Sequence, residues 1–147
     1  RSSDLIDEYY YDSRREGAQR TDEEHYAGLV ELCGGRRIEC VVVDPSAASF
    51  METIRRHGAY RVLPAENDVL DGIRRVSVAL KQGEIKICAN CADAVREFGL
   101  YRWADVAGKD APLKENDHAM DDIRYFVASL QRETDDFCAV SVARREE

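Results

Sequence analysis

Residues 38–50 read IECVVVDPSAASF. Ile38, Val41, Val42 and Val43 form a β-branched, apolar run, which predicts a strand buried on both faces. The run stops at one carboxylate, Asp44. Pro45 cannot continue a ladder, but it suits the approach to a helix or its first turn. The small residues that follow predict a helix over 47–57, with Phe50, Met51 and Ile54 at helical spacing and Gly58 as its stop. Asp44 is therefore expected at the carboxyl end of a central strand, beside a helix N-terminus. Open α/β sheets bind their ligands at that end of the strands. The plain structural alternative is that Asp44 only caps the helix.

Elements of alternating type extend from this strand in both directions. Upstream, residues 5–11 are rich in Tyr and Ile and predict a strand. Residues 12–20, DSRREGAQR, form a Gly-containing loop that carries Arg14, Arg15 and Arg20. It is either a solvated turn or a contact for DNA phosphates, since arginine is the forked donor suited to them. Thr21 and Glu24 have capping-box spacing, and Asp22, Glu23 and Glu24 favour a helix N-terminus. Tyr26, Leu29, Val30 and Cys33 are the apolar face of that helix, and Gly34 with Gly35 ends it.

Downstream, residues 60–63 predict a short strand that Pro64 breaks. Asn67 or Asp68 can cap a helix to about Gln82, with Val69, Leu70, Ile73, Val76 and Leu80 as its buried stripe. A strand at 85–88, a helix at 91–98 capped by Asn90, and a short last strand at 101–103 follow. His57 falls in a last helical turn and reads as a surface residue. Alternating strands and helices predict an α/β fold with a largely parallel sheet. No internal repeat or interdomain linker interrupts it.

The chain has 147 residues, 44% of them hydrophobic, and no apolar run near the length of a membrane span. One soluble domain without a membrane partner is expected. Five cysteines are an odd number without disulfide-framework spacing, which predicts a reducing compartment. A formal net charge of −8 argues against a surface that coats nucleic acid generally. It leaves room for a local basic groove beside carboxylates that hold metal. The polar start shows no signal-peptide pattern and opens almost at once into a strand, as an excised piece of a longer protein would.

The second informative stretch is KENDHAMDDIRY, residues 114–125. Asn116 or Asp117 can cap a helix running to 130. His118 can share a face with Asp121 or with Asp122. The core stripe reads Ala119, Ile123, Phe126 or Val127, and Leu130. Periodicity does not decide between the two aspartates, and an ordinary acidic helix start explains both. Together with Asp44, a His-x-x-Asp at a helix start forms an oxygen-rich set with one imidazole. Such a set suits Mg²⁺ or Mn²⁺ better than zinc. Two such ions about 3.5–4 Å apart can activate water and stabilise the leaving oxygen of a phosphodiester. Cys88-Ala-Asn-Cys91 is a lone CxxC with no second half at zinc-finger spacing, so both cysteines read as packing residues.

The stretches VVVDPSAASF, PAENDVLDGIRRVS and PLKENDHAMDDIRY, in this order, resemble the C-terminal nuclease domain of tailed-bacteriophage terminase large subunits. DEYYYDSRREGAQRTDEE resembles the segment after that domain's opening hairpin. The resemblance covers residues 4–130, so 1–131 is expected to be the nuclease domain and 132–147 a charged tail, docking or frayed. It implies an RNase H-like fold, a central mixed sheet flanked by helices. It implies a two-metal, Mg²⁺- or Mn²⁺-dependent endonuclease that cuts concatemeric double-stranded DNA during genome packaging. The expected partners are a terminase small subunit, a portal protein and an upstream ATPase domain, in the cytoplasm of a bacterial host. Asp44 matches the family's second acid, Asp121 its third, and His118 a histidine that assists metal binding. Lys114 is expected to contact phosphate. The family's first acid belongs on a strand that would precede Leu5 and is absent from these residues, as is a Walker-type motif. The competing expectation is therefore a truncated prophage module that binds DNA or packaging proteins without cutting. A junction resolvase, argued from fold alone, is a weaker third.

Overall fold

The computed structural model describes residues 3–5, 9, 16–103, 111–112, 115, 117–130 and 139–142. Along the chain lie β1 (Ser3–Leu5), α1 (Asp22–Cys33), β2 (Cys40–Val43), α2 (Ala48–His57) and β3 (Val62–Pro64). After them come α3 (Val69–Lys81), β4 (Ile85–Ile87), α4 (Ala92–Leu100), α5 (His118–Leu130) and β5 (Ala139–Val142).

β2 is the middle strand of a sheet ordered β3–β2–β5, and both pairings are parallel. All four of its residues are buried, as its unalternating β-branched run predicts. Burying each valine stabilises the fold by about 1.5–3 kcal/mol. The pleat then divides the core. Val41 and Val43 pack with Tyr26, Leu29 and Cys33 of α1 and with Phe50, Met51 and Ile54 of α2. Cys40 and Val42 face the other way, onto Ala65 and Tyr125. A second parallel pair, β1 with β4, adjoins a cluster made of Ala79, Ile85, Cys91, Ala94, Ala119, Met120, Ile123 and Val127. Helix α5 contributes to both of the last two clusters.

The helix ends follow local chemistry. Thr21 accepts from the Glu24 amide at 3.2 Å, and the Glu24 carboxylate accepts from the Thr21 amide at 2.7 Å, completing the capping box. Asp68 caps α3 by accepting from the Asp71 amide. Ala47 holds the N-cap position of α2, without a side-chain cap bond. Gly58 closes α2 in the left-handed region at φ 70°.

Several expectations are corrected. The strand expected at 60–63 is shorter and starts later, as β3, whose last residue is Pro64; among the described residues β3 lies at the sheet edge, where proline is tolerated. Leu70 and Leu80 are exposed; α3 buries its small residues Gly72 and Ala79, which let α5 approach. Cys91, not Asn90, holds the N-cap position of α4, without a side-chain bond. Residues 101–103 yield one antiparallel bridge, Trp103 with Pro112, and no strand. Residues 139–142, placed in the tail by charge, pair with β2 as β5. Of the strand expected at 5–11, Leu5 is the last residue of β1 and Tyr9 is described outside a strand, while residues 6–8, 10 and 11 lie outside the described residues. Among the described residues, no helix is long and apolar enough to cross a membrane.

Candidate functional site

Side chains alternate along a strand, so Cys40, Val42 and Asp44 share one side of β2. Asp44 leaves the strand on the side that faces α5. Its carbonyl accepts from the Ala47 amide at 2.9 Å, closing a turn with Pro45 at the second position, where proline's fixed φ suits it. Oδ1 of Asp44 accepts from the Ser46 amide at 2.9 Å and from the Ser46 hydroxyl at 2.7 Å. The carboxylate is thus fastened to its own turn and is only 6% exposed.

Helix α5 meets Asp44 with the face opposite its main packing face. Ala119, Met120, Ile123 and Val127 occupy one side of the helix, and Asp121, Arg124 and Tyr125 the other. Tyr125, 1% exposed, donates its hydroxyl to Oδ2 of Asp44 at 2.8 Å. Burial first, and then the bond to Asp44, push this phenol well above its ordinary value, so it remains a donor. The same hydroxyl also reaches Oδ1 of Asn67 at 3.3 Å, the longer leg of a shared contact.

Asn67 is where the two halves of the site meet. Its Oδ1 accepts from Nη2 of Arg124 at 3.1 Å, and the same nitrogen donates to Oδ1 of Asp121 at 2.9 Å. The guanidinium carbon lies 4.9 Å from the centre of the Tyr125 ring. Asp44, Tyr125, Asn67, Arg124 and Asp121 therefore form one relay across three elements of the fold. Among the described residues, Oδ2 of Asp121 carries no hydrogen bond. Tyr101 lies beside this end of the relay; burial, and next the Asp121 carboxylate, push its phenol up to about 12.

Two further residues hold the relay in place. A Cβ on Gly72 of α3 would sit 2.5 Å from Cδ of Arg124 and closer still to Cγ, so only glycine lets the arginine stem lie there. Glu97 of α4 is fully buried, and its Oε2 accepts from the amides of Ala119 at 2.7 Å and Met120 at 3.2 Å. It caps α5 from another helix, satisfying amides that open the turn carrying His118 and Asp121. The sequence points to Asn116 or Asp117 for this task. Asp117 takes part through its carbonyl, which accepts from the Asp121 amide; Asn116 lies outside the described residues.

Of the residues singled out from sequence, Asp44 and Asp121 are brought into one relay, and His118 opens α5 partly buried. Arg14, Arg15 and Lys114 lie outside the described residues. Arg20 is exposed and donates to the Tyr9 hydroxyl at 2.6 Å. Cys91 is packed in a core cluster with Cys88 against it. Among the described residues, no three His, Cys, Asp or Glu side chains are grouped to hold a metal. The relay carries two carboxylates, Asp44 and Asp121, and their hard oxygens are donors of the kind that suits part of a divalent cation's shell. Tyr125, Asn67, Arg124, Glu97 and Gly72 carry no signal in the pattern of hydrophobic residues. A hint lay in Asn67-Asp68, where two capping residues stand side by side and one helix needs only one.

No protein-family model matches the chain. The terminase large subunit of Escherichia phage T5 is 26% identical over 132 residues, which are 86% of this chain and 30% of that protein. The large terminase of a thermophilic bacteriophage, in complex with ADP, aligns at a TM-score of 0.83 and 40% identity. That alignment covers 88% of this chain and 34% of that one. The same thermophilic phage protein in complex with ATP-γ-S gives a TM-score of 0.81 and 42% identity, over 84% of this chain and 32% of that one. The parallel strands flanked by helices match these structures and are consistent with an RNase H-like fold. The chain is homologous to the large subunits of phage terminases, over the minor part of their length that it covers.

Proposed function

We propose that the chain is a metal-dependent endonuclease module of a phage terminase large subunit, cutting concatemeric double-stranded DNA during packaging. The observation that supports it best is the relay that ties Asp44, at the carboxyl end of β2, to Asp121 in the first turn of α5. Those two acids, with His118 at the start of the helix that carries Asp121, would hold two Mg²⁺ or Mn²⁺ ions, which when bound supply an activated water and charge for the leaving oxygen. Tyr125 and Ser46 hold Asp44 in one orientation, and Arg124 does the same for Asp121. Arg14, Arg15, Arg20 and Lys114 would contact the DNA backbone, where arginine's fork suits phosphate. In the whole protein the partners would be an ATPase domain, a small terminase subunit and a portal, in the cytoplasm of the bacterial host.

The test pairs calorimetry with plasmid cleavage. Wild type is expected to bind Mn²⁺ at millimolar concentrations and to nick supercoiled DNA in its presence; Asp44→Asn should lose both. Equal binding and cutting by the variant would overturn the proposal. So would a wild type that takes up no Mn²⁺, and DNA binding retained in that case would mark a non-cutting module.

A further inference from the structure

Arg124 is 3% exposed, yet among the described residues its Nε and Nη1 have no hydrogen-bond partner and Nη2 alone is used. A guanidinium has five donors, and leaving buried ones unsatisfied destabilises a fold. Gly72 removes even the methyl that would stand in the arm's way. A fold that only needed to fill this space would be served better by an apolar side chain. What the arrangement does secure is the direction of two acceptors. Oδ1 of Asp121 and Oδ1 of Asn67 are both fixed by one nitrogen, and Asn67 in turn touches the hydroxyl that holds Asp44.

We infer that Arg124, seated on Gly72, is a positioning residue for the cation site: it fixes Asp121 so that Oδ2 faces the ion, and couples that orientation to Asp44 through Asn67 and Tyr125. The inference rests on the proposal that Asp44 and Asp121 hold a divalent cation. Groups that orient metal ligands typically change affinity by about 10–100-fold when removed. A rival role is available and has the opposite sign. If Arg124 were only a counter-charge for Asp121, removing it would take a positive charge away from the site and tighten cation binding.

The experiment measures Mn²⁺ dissociation constants by calorimetry for the full chain, with circular dichroism confirming that each variant is folded. Arg124→Gln removes the charge, Arg124→Lys keeps the charge without the fork, and Gly72→Ala displaces the arm without touching any charge. Positioning predicts weaker binding in all three, by about 10–100-fold for Arg124→Gln. Lysine should fail to rescue, because a freely rotating ammonium on a flexible stem does not hold two donors in the fixed, planar directions that Nη2 gives. Tighter binding by Arg124→Gln, or wild-type affinity in both Arg124→Lys and Gly72→Ala, would overturn the inference while leaving the proposed function standing. Absence of Mn²⁺ binding by wild type would remove both.

Discussion

Replacing Gly72 by alanine sets two effects of opposite sign against each other. In a helix interior the change should stabilise by about 1 kcal/mol, because glycine is the poorer helix former. Against this stands the stem of Arg124, with Cδ 2.5 Å from the new methyl. Overpacking a closed site costs about 1–3 kcal/mol. The upper half of that range applies here. The contact falls on the middle of the side chain, and its tip is tethered to Asp121 and Asn67, so the stem cannot swing aside and keep both bonds. The net expectation is a destabilisation of about 1–2 kcal/mol, and more if the buried ion pair breaks. For a chain of this size that lowers the melting temperature by about 2–8 °C and shifts the urea midpoint at constant slope. Gly99 on α4 is the internal control: a Cβ there meets nothing within 4 Å. Gly99→Ala should leave stability unchanged or raise it by up to about 1 kcal/mol. A Gly72→Ala protein as stable as wild type, or two glycine variants that respond alike, would refute the account of how Arg124 is seated.

Glu97→Ala should strip the amides of Ala119 and Met120 of their buried acceptor and cost about 1–3 kcal/mol; hydrogen exchange at those amides should quicken more than elsewhere in α5. Tyr60, half-buried, has its phenol pushed up to about 12 by burial and a hydrogen bond with Cys33. The unfolded chain ionises this group first, so its contribution is whole below pH 10 and is lost as pH rises towards 12; urea midpoints between pH 9 and 12 should fall less steeply in Tyr60→Phe. Arg124→Gln and Tyr125→Phe meet at Asn67, so their stability effects should depart from additivity by about 0.5–3 kcal/mol in a double-mutant cycle. Agreement with simple addition would mean that the relay does not couple its two ends.

What could be read from the letters is what local physics decides. The run to Val43 announces a buried strand, Thr21 with Glu24 announces a cap, and Gly58 announces a stop, because each depends on neighbours a few residues away. Arg124 and Tyr125 escape that kind of reading. On a helical wheel they lie off the stripe of Ala119, Ile123 and Val127, where a polar or amphipathic residue reads as surface. Both are buried because α5 is covered on two sides, once by the cluster around Ile85 and once by the end of β2. Glu97 fails for a related reason: a glutamate one turn before a helix end reads as solvated, and its partners are 22 and 23 positions away. The 139–142 strand was hidden by its charged surroundings, since a four-residue apolar patch says nothing of the central strand it joins.

The side on which Asp44 emerges is set by the pleat alone, and this makes β2 register part of the site. With Cys40 and Val42 on the α5 side, the next position on that side is 44. A slip by one residue would turn Asp44 into the cluster of Phe50, Met51 and Ile54, where no relay awaits it, and would bring Val41 and Val43 against Tyr125. Register is held by two parallel neighbours at once, Val41 standing beside both Val62 and Val140. The β5 strand thus does more for the site than its distance in sequence from Asp44 implies. It fixes the strand at whose end the relay begins, and it also contacts α5, the helix that brings Tyr125 and Asp121. Folding stability and placement of the two carboxylates accordingly rest on the same contacts, and changes that loosen either packing face of α5 should disturb the site before they unfold the chain.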